Sequence, residues 1–315
     1  MDRPARSPGV MRAFSPSHTH IPLPEDHRFP LDKYRRLAAR MAALGWQVDA
    51  APLVSVDEIR RVHHSDYVDK VETGGLEPRE LRKLGFPMTP DLFERSLCSV
   101  GSTLSAFYDA LNSGVGVSLA GGTHHAYPGH GEGFCVFNDH ATIAYHALAH
   151  QLARRVLVID LDVHQGNGTA AIFQTEPRVF TLSLHGARNY PFHKEQSDRD
   201  VGLPDGLGDD DYLSILGTEL NDIFARVDPD LVLFQAGVDV LAGDRFGRLE
   251  LTTAGVVARD SLVYDHCLSA GVPLVYTMGG GYQKAIENTV ETHVQSLQTL
   301  QRKVSARSHT ATPST

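Results

Sequence analysis

The sequence predicts an α/β fold: one domain built on a parallel sheet with helices on both faces. Three observations carry this reading. Five short apolar runs alternate with helix-like stretches, the order that gives parallel strands joined by crossover helices. None of these runs alternates apolar with polar residues for long, as expected of strands buried on both faces. No long linker or internal repeat divides the chain, so a single domain over 19–302 is the simplest organisation.

Each element follows in order. Residues 1–18 are rich in Pro, Ser and Arg and read as a disordered arm. A helix is expected over 31–44, where Leu31, Tyr34, Leu37, Ala38, Met41 and Leu44 recur at helical spacing. Further helices are expected over 92–111, 138–152, 210–226 and 252–270. Asp210 and Thr252 suit N-caps, and Gly271 suits a C-terminal stop. The strands are 115–120, 156–161, 179–184, 231–236 and 273–278. The Ser/Thr-rich stretch 303–315 reads as a disordered tail.

Composition narrows the function classes. With 42% hydrophobic and 21% charged residues, the 315-residue chain is neither disordered nor a disulfide scaffold. No apolar run reaches the roughly 18 residues of a membrane span. Arg3, Arg6 and Arg12 precede no apolar core, so no secretory signal is read. A net charge of −9 argues against nucleic acid held on a general basic surface. It tolerates a cationic substrate such as a lysine-bearing tail or a polyamine. Cys98, Cys135 and Cys267 form no framework and suggest reduced thiols in a cytoplasm. Nothing in the sequence sets an oligomeric state.

In an open parallel sheet, ligands bind beyond the carboxyl ends of the strands. Each of the five strands is followed there by metal-competent or acid/base groups. Asp162 and His164 follow the second strand and, two apart, would point the same way on a strand. Asp239 follows the fourth strand and could complete a set of three ligands with a position left for water. The set suits zinc, and iron(II) or cobalt would also bind. His124 and His125 follow a Gly-Gly turn and are candidate general bases, with Asp160 and Asn167 as partners for their other nitrogens. Tyr282 follows three glycines and could donate to a developing oxyanion. Phe134, Tyr190 and Phe246 could wall a narrow channel. Asp160 and Ser183, with nearby carbonyls, could hold a monovalent cation such as K+. His63, His64, Asp66 and Tyr67 form a polar knot for which a structural role is expected.

These stretches together resemble the histone deacetylase superfamily over roughly 18–300. The matching motifs are GGTHHA at 121–126, GFCVFND at 133–139, DLDVHQGNG at 160–168, LSLH at 182–185, AGVDVLAGDRFG at 236–247 and MGGGY at 278–282. The HQGNG and GDRFG wording, with HRFP at 27–30, looks closest to the class IV branch and its bacterial relatives. The resemblance implies the arginase/deacetylase fold, with a parallel sheet of about eight strands. It implies a zinc-dependent hydrolase of acyl-lysine, with an acetyl or a longer fatty acyl group. Asp162, His164 and Asp239 would bind the metal, His125 would be general base then acid, and His124 would assist electrostatically. Tyr282 would stabilise the oxyanion, and Phe134 would line the acyl-lysine channel.

Two positions depart from parts of the family. Class I members carry Asp where this chain has Asn167. Polyamine-specific relatives carry Glu where it has Phe246, which weighs against a strict acetylpolyamine substrate. The same fold hosts binuclear manganese ureohydrolases, but Gly166 and Gly237 stand where their bridging carboxylates are needed. A non-catalytic acyl-lysine reader would have lost a ligand or Tyr282, and neither is lost.

Overall fold

The computed structural model describes residues 10–310. It opens with β1 (Arg12–Ser15), α1 (Asp32–Ala43) and β2 (Gln47–Ala50). Then come α2 (Val56–Arg60), α3 (Ser65–Thr73), α4 (Pro78–Leu84), α5 (Asp91–Ser113) and β3 (Val115–Val117). The middle is α6 (Asp139–Ala149), β4 (Val156–Asp160), α7 (Asn167–Phe173), β5 (Val179–Gly186) and β6 (Arg199–Leu203). The last third is α8 (Asp209–Val227), β7 (Leu231–Gln235), α9 (Thr253–Ala270), β8 (Leu274–Thr277) and α10 (Ile286–Thr310).

Six strands form one parallel sheet in the order β3-β8-β7-β4-β5-β6, and β1 and β2 pair in parallel beside it. A single parallel bridge from Phe14 to Ser118 joins the two. The expected sheet of about eight strands is thus present as six plus two. All five strands read from the sequence form, although the first ends at Val117 rather than at 120.

Alternate residues of each strand explain the unbroken apolar runs. Leu157 and Ile159 of β4 face a core shared with α1, α8, α9 and α10, through residues such as Leu37, Leu220, Val263 and Leu297. Val156 and Val158 face the opposite core, against Phe107 of α5 and Ile143 of α6. Thr252 caps α9 by accepting from the Gly255 N–H, and Gly271 closes it in a left-handed conformation with φ +68°. No helix among the described residues is long and apolar enough to cross a membrane.

Three boundaries differ from the sequence reading. Part of the expected arm 1–18 is ordered: Arg12–Ser15 forms β1, because Met11, Ala13 and Phe14 bury against the core and Arg12 pairs with Asp49. Residues 1–9 lie outside the described residues. The expected tail 303–315 starts later, since α10 continues to Thr310 with Val304 packed on the core and Lys303 paired to Asp265 at 2.6 Å. Residues 311–315 again lie outside the described residues. Asp210 is not the N-cap of α8. Gly208 stands there, and Asp209, Asp210 and Asp211 occupy the first turn, where the helix dipole favours negative charge.

The strand order reverses beside β4, which lies between β7 and β5. A crevice at such a switch point is where ligands enter α/β sheets. The two strand ends that meet there are tied from behind. Arg259 of α9, fully buried, donates to the carbonyls of Leu161 (3.0 Å) and Gly237 (2.7 Å) and pairs with Asp260 at 2.7 Å. Asp260 also accepts from the Ser296 hydroxyl at 2.5 Å. Arg259→Leu would leave Asp260 buried without its cation and two carbonyls without a donor. The expected cost is about 3–5 kcal/mol, the scale of breaking a buried pair. Urea unfolding measures it, and a loss below about 1 kcal/mol would show the tie to be dispensable.

Candidate active site

The metal-competent residues meet at this switch point. β4 ends at Asp160, so strand alternation does not align Asp162 with His164 as expected. Side-chain hydrogen bonds in the following turn align them instead. Asp162 Oδ1 accepts from the His164 N–H at 3.0 Å, and Asp239 Oδ1 accepts from the Val163 N–H at 2.9 Å. His164 Nδ1 then stands 3.0 Å from Asp162 Oδ1 and 3.2 Å from Asp239 Oδ2. Ligand atoms of the three lie within 4.8 Å of one another, and all three residues are buried.

Two glycines make room for this set. A Cβ at Gly237 would fall 2.3 Å from Asp162 Oδ2, and one at Gly280 would fall 1.9 Å from Asp239 Oδ2. The same crowding explains why no bridging carboxylate stands at 237. The Gly280 N–H donates to Asp162 Oδ2 at 2.7 Å. Asp239 Oδ2 is buried and accepts no hydrogen bond. Burial and the nearby Asp162 push Asp239 up to about 7. His164, although burial opposes its charge, rises to about 10 between the two carboxylates. Two buried carboxylates, an imidazole and an orphaned oxygen form a donor set that fits a divalent cation. Glu58, His146 and His150 also cluster, but Glu58 is already engaged by Arg61 and His146, both at 2.9 Å.

The histidine pair stands beside this set, with the two rings 4.1 Å apart and both buried. Each Nδ1 donates to the expected partner: His124 to Asp160 Oδ2 at 2.7 Å, and His125 to Asn167 Oδ1 at 2.6 Å. The consequences differ. Burial opposes charge on His124, yet Asp160 and Asp162 raise it to about 9. Burial, with His124 and His164 alongside, drives His125 well below the ordinary imidazole value. One imidazole is therefore a cation at neutral pH and its neighbour a neutral base. Glu132 fixes the Asn167 amide by accepting from its Nδ2 at 3.0 Å, which turns Oδ1 toward His125. Burial would raise Glu132, but His130, Lys83, Tyr190 and Asn167 outweigh it and hold the carboxyl well below its usual range.

Tyr282 completes the floor. Its backbone N–H donates to Asp244 Oδ2 at 2.7 Å, and Asp244 Oδ1 accepts from Phe246 and Gly247. Burial, then Asp162 and Asp239, raise the phenol well above its ordinary value, so it stays protonated. Lys33 of α1, fully buried, donates to the Gly279 carbonyl at 3.0 Å and lies 5.4 Å from the Tyr282 ring centre.

The three expected channel residues converge. Phe246 packs edge-on against Tyr282 at 4.9 Å, Phe134 lies 6.3 Å from it, and Tyr190 lies 5.2 Å from His125 with its hydroxyl on Glu132. Phe134 holds a φ of +67°, a conformation that costs a non-glycine residue energy and recurs at functional sites. Beneath the floor a cavity of about 70 Å³, lined in part by Phe29, Leu31, Tyr34, Phe86 and Arg95, adjoins Asp162 and His164. Asp160 and Ser183 are register partners on β4 and β5, with the Ser183 hydroxyl 2.9 Å from His185 Nδ1. The knot at 63–67 is structural: His63 bridges the Tyr127 carbonyl and the Asn138 N–H, both at 2.9 Å.

Sequence reading missed Glu132, Asp244, Lys33 and Arg259. Asp244 lies inside the GDRFG motif and Glu132 directly precedes GFCVFND. Lys33 and Arg259 lie on helices and carried no local signal.

Comparison with known proteins gives one answer. Residues 27–297 match the family model of the histone deacetylase domain. An uncharacterized protein of Picosynechococcus sp. is 45% identical over 276 residues, which cover 86% of this chain and 92% of that protein. Histone deacetylase 2 of Arabidopsis thaliana is 28% identical, over 86% of this chain and 73% of its own length. The acetoin utilization protein AcuC of Bacillus subtilis is 30% identical, over 76% of this chain and 68% of its own length. Among solved structures, the HDA15 HD domain superposes with a TM-score of 0.77 at 25% identity, covering 93% of this chain and 89% of that one.

The ligand assignment makes a direct prediction. After zinc reconstitution and desalting, His164→Ala and Asp162→Ala are expected to lose the stoichiometric metal that the unaltered protein keeps. Elemental analysis reads the content, and full retention would mean that other residues hold the metal.

Proposed function

Because the chain belongs to the histone deacetylase family, a family of hydrolases, we propose that it is a zinc-dependent amidohydrolase removing an acyl group from lysine side chains. The observation that carries this reading is the meeting of three buried metal donors, a neutral imidazole and a protonated phenol on one floor. Asp162, His164 and Asp239 would hold the metal, and the same donors accept Fe2+. Zinc, when bound, supplies Lewis-acid polarisation of the amide carbonyl and a more acidic water.

The chain's own groups do the rest. His125 Nδ1 is committed to Asn167, so its Nε2 is the nitrogen free to take a proton from the attacking water. The same Nε2 then returns that proton to the departing lysine amine. His124 keeps its charge through Asp160 and supports negative charge without moving a proton. Tyr282 donates its hydroxyl to the oxyanion of the tetrahedral intermediate, with Asp244 fixing its backbone.

The walls Phe134, Tyr190 and Phe246 suit the apolar stem of an acyl-lysine. We read the acyl group as a short one, since the space of about 70 Å³ beside Asp162, His164 and Tyr282 has room for an acetyl. Phe246 offers no carboxylate to the distal ammonium of a small acetylated amine. We also read the chain as class IV-like from its motif wording, and as cytoplasmic, with its three buried cysteines reduced. Asp160 and Ser183 are the oxygen donors we assign to a potassium ion.

Two outcomes are expected of the zinc-reconstituted protein. It should hydrolyse an acetyl-lysine peptide with higher kcat/KM than its myristoyl counterpart, and Tyr282→Phe should lower kcat by about 10²-fold with metal content intact. Faster turnover of the myristoyl peptide would refute the short-acyl reading, and unchanged turnover in the variant would remove Tyr282 from the mechanism. The second outcome concerns pH. His125 works as a base only while neutral, and its lowered pKa keeps it so into mildly acidic solution. Pairing Glu132→Gln with Asn167→Asp restores one donor and one acceptor between these positions and puts a carboxylate behind His125. An opposite charge favours the imidazolium, so the acidic limb of kcat/KM should move to higher pH by about 1 unit or more relative to Glu132→Gln alone. A limb that stays in place would exclude His125 as the base.

A further inference from the structure

The mouth of the channel carries a charge opposite to that of the molecule. The chain has a net charge of −9. Yet the opening above His125, His164 and Tyr282, a space of about 840 Å³, is lined by Arg28, Arg82, Lys83, Arg188, Arg245 and Arg248, with Asp26 as its one carboxylate. Three of these cations are already paired. Lys83 meets Glu132 at 2.5 Å, and Arg188 and Arg248 share Asp205 at 2.6 and 3.2 Å. Arg28, Arg82 and Arg245 are exposed, and none forms an ion pair with a carboxylate among the described residues. They come from three separate segments: the turn before α1, helix α4 and the loop after β7. Between the cations stand apolar surfaces, Phe192 at 81% exposure and the rings of Tyr190 and Phe246.

We propose that this rim selects acyl-lysine lying between acidic residues of a protein substrate. The inference rests on the acyl-lysine reading above. If a lysyl side chain threads the channel, the residues on either side of that lysine must lie across the mouth. There a carboxylate meets an unpaired guanidinium, the geometry that guanidinium and carboxylate share best. A lysine- or arginine-rich tail, or a polyamine, meets like charge instead. The cations ring one opening and are not strung along a face, which fits a short peptide better than a nucleic-acid backbone. The acidic balance of the whole chain, which tolerated a cationic substrate, is thus reversed where substrate enters.

The test uses the full zinc-reconstituted chain and three acetyl-lysine peptides that differ only in flanking residues: Asp/Glu, Ala or Lys/Arg. The acidic peptide is expected to exceed the basic one in kcat/KM by about 10-fold or more, through KM, with the gap shrinking in about 1 M salt. Combined Arg28→Glu, Arg82→Glu and Arg245→Glu should reverse the order and leave the Ala-flanked peptide unchanged. Arg154→Glu, the same kind of charge reversal made once at the opposite end of the sheet, should do nothing. Equal rates, a preference for the basic peptide, or a gap that survives the combined variant would overturn the proposal. Fluorescence anisotropy with the same peptides, labelled, separates the two readings. If nothing is hydrolysed, the acyl-lysine reading fails, while tighter binding of the acidic peptide still supports the rim and equal binding overturns it. Displacement of the acidic peptide by an RNA oligonucleotide of equal charge, at lower concentration, would also overturn it.

Discussion

Two carboxylates buried side by side are the constraint around which this molecule is arranged. Asp162 and Asp239 would repel each other and lose hydration at a cost that no apolar neighbour repays. The fold sets nitrogen-bearing groups against that cost. His164 lies between the carboxylates, His124 stands on one flank, and the buried Lys33 feels both charges. Behind them Arg259 holds the carbonyls of Leu161 and Gly237, so the two strand ends cannot drift apart. Glycine at 237 and 280 lets backbone approach where any side chain would collide with a carboxylate oxygen.

The same logic governs the histidine pair. Two adjacent histidines of identical chemistry are given opposite charge preferences by what stands around them: a carboxylate behind His124 and an amide behind His125. The amide has no orientation of its own. Glu132 supplies it, and Glu132 is in turn held by Lys83 and the Tyr190 hydroxyl. A surface lysine is thereby linked through three hydrogen-bonded steps to the tautomer of a buried imidazole. Networks of this kind work only when every member is satisfied.

The strand ends were legible because a doubly buried strand has a plain signature and because polar residues directly after it have few structural reasons to be there. Asp162, His164, Asp239, His124, His125 and Tyr282 all came from that rule, and the structure brings them together. What failed was local and physical. Asp162 and His164 share a direction because a side chain accepts from the next turn, not because a strand alternates. β1 hid in a stretch whose prolines and serines masked the run Met11–Phe14. Lys33 and Arg259 act across the fold, at sequence distances no local pattern reports. Net charge sums over the molecule and does not report the cations that folding gathers at one opening.

The contact between Lys33 and Gly279 spans 246 positions of sequence. Near it, α1 is clasped to α10 through the ion pairs of Arg36 with Glu287 and Arg40 with Glu291, and Trp46 donates to Gln301 at 3.0 Å. The loop that carries Tyr282 therefore receives its anchor from the opposite end of the chain. During synthesis Asp162 and His164 emerge well before Asp239, and the loop at 279–282 later still. A ribosome-bound chain thus holds its core strands before it holds a finished centre. The contact between Lys33 and the loop that carries Tyr282 can therefore close only when nearly the whole chain has been made.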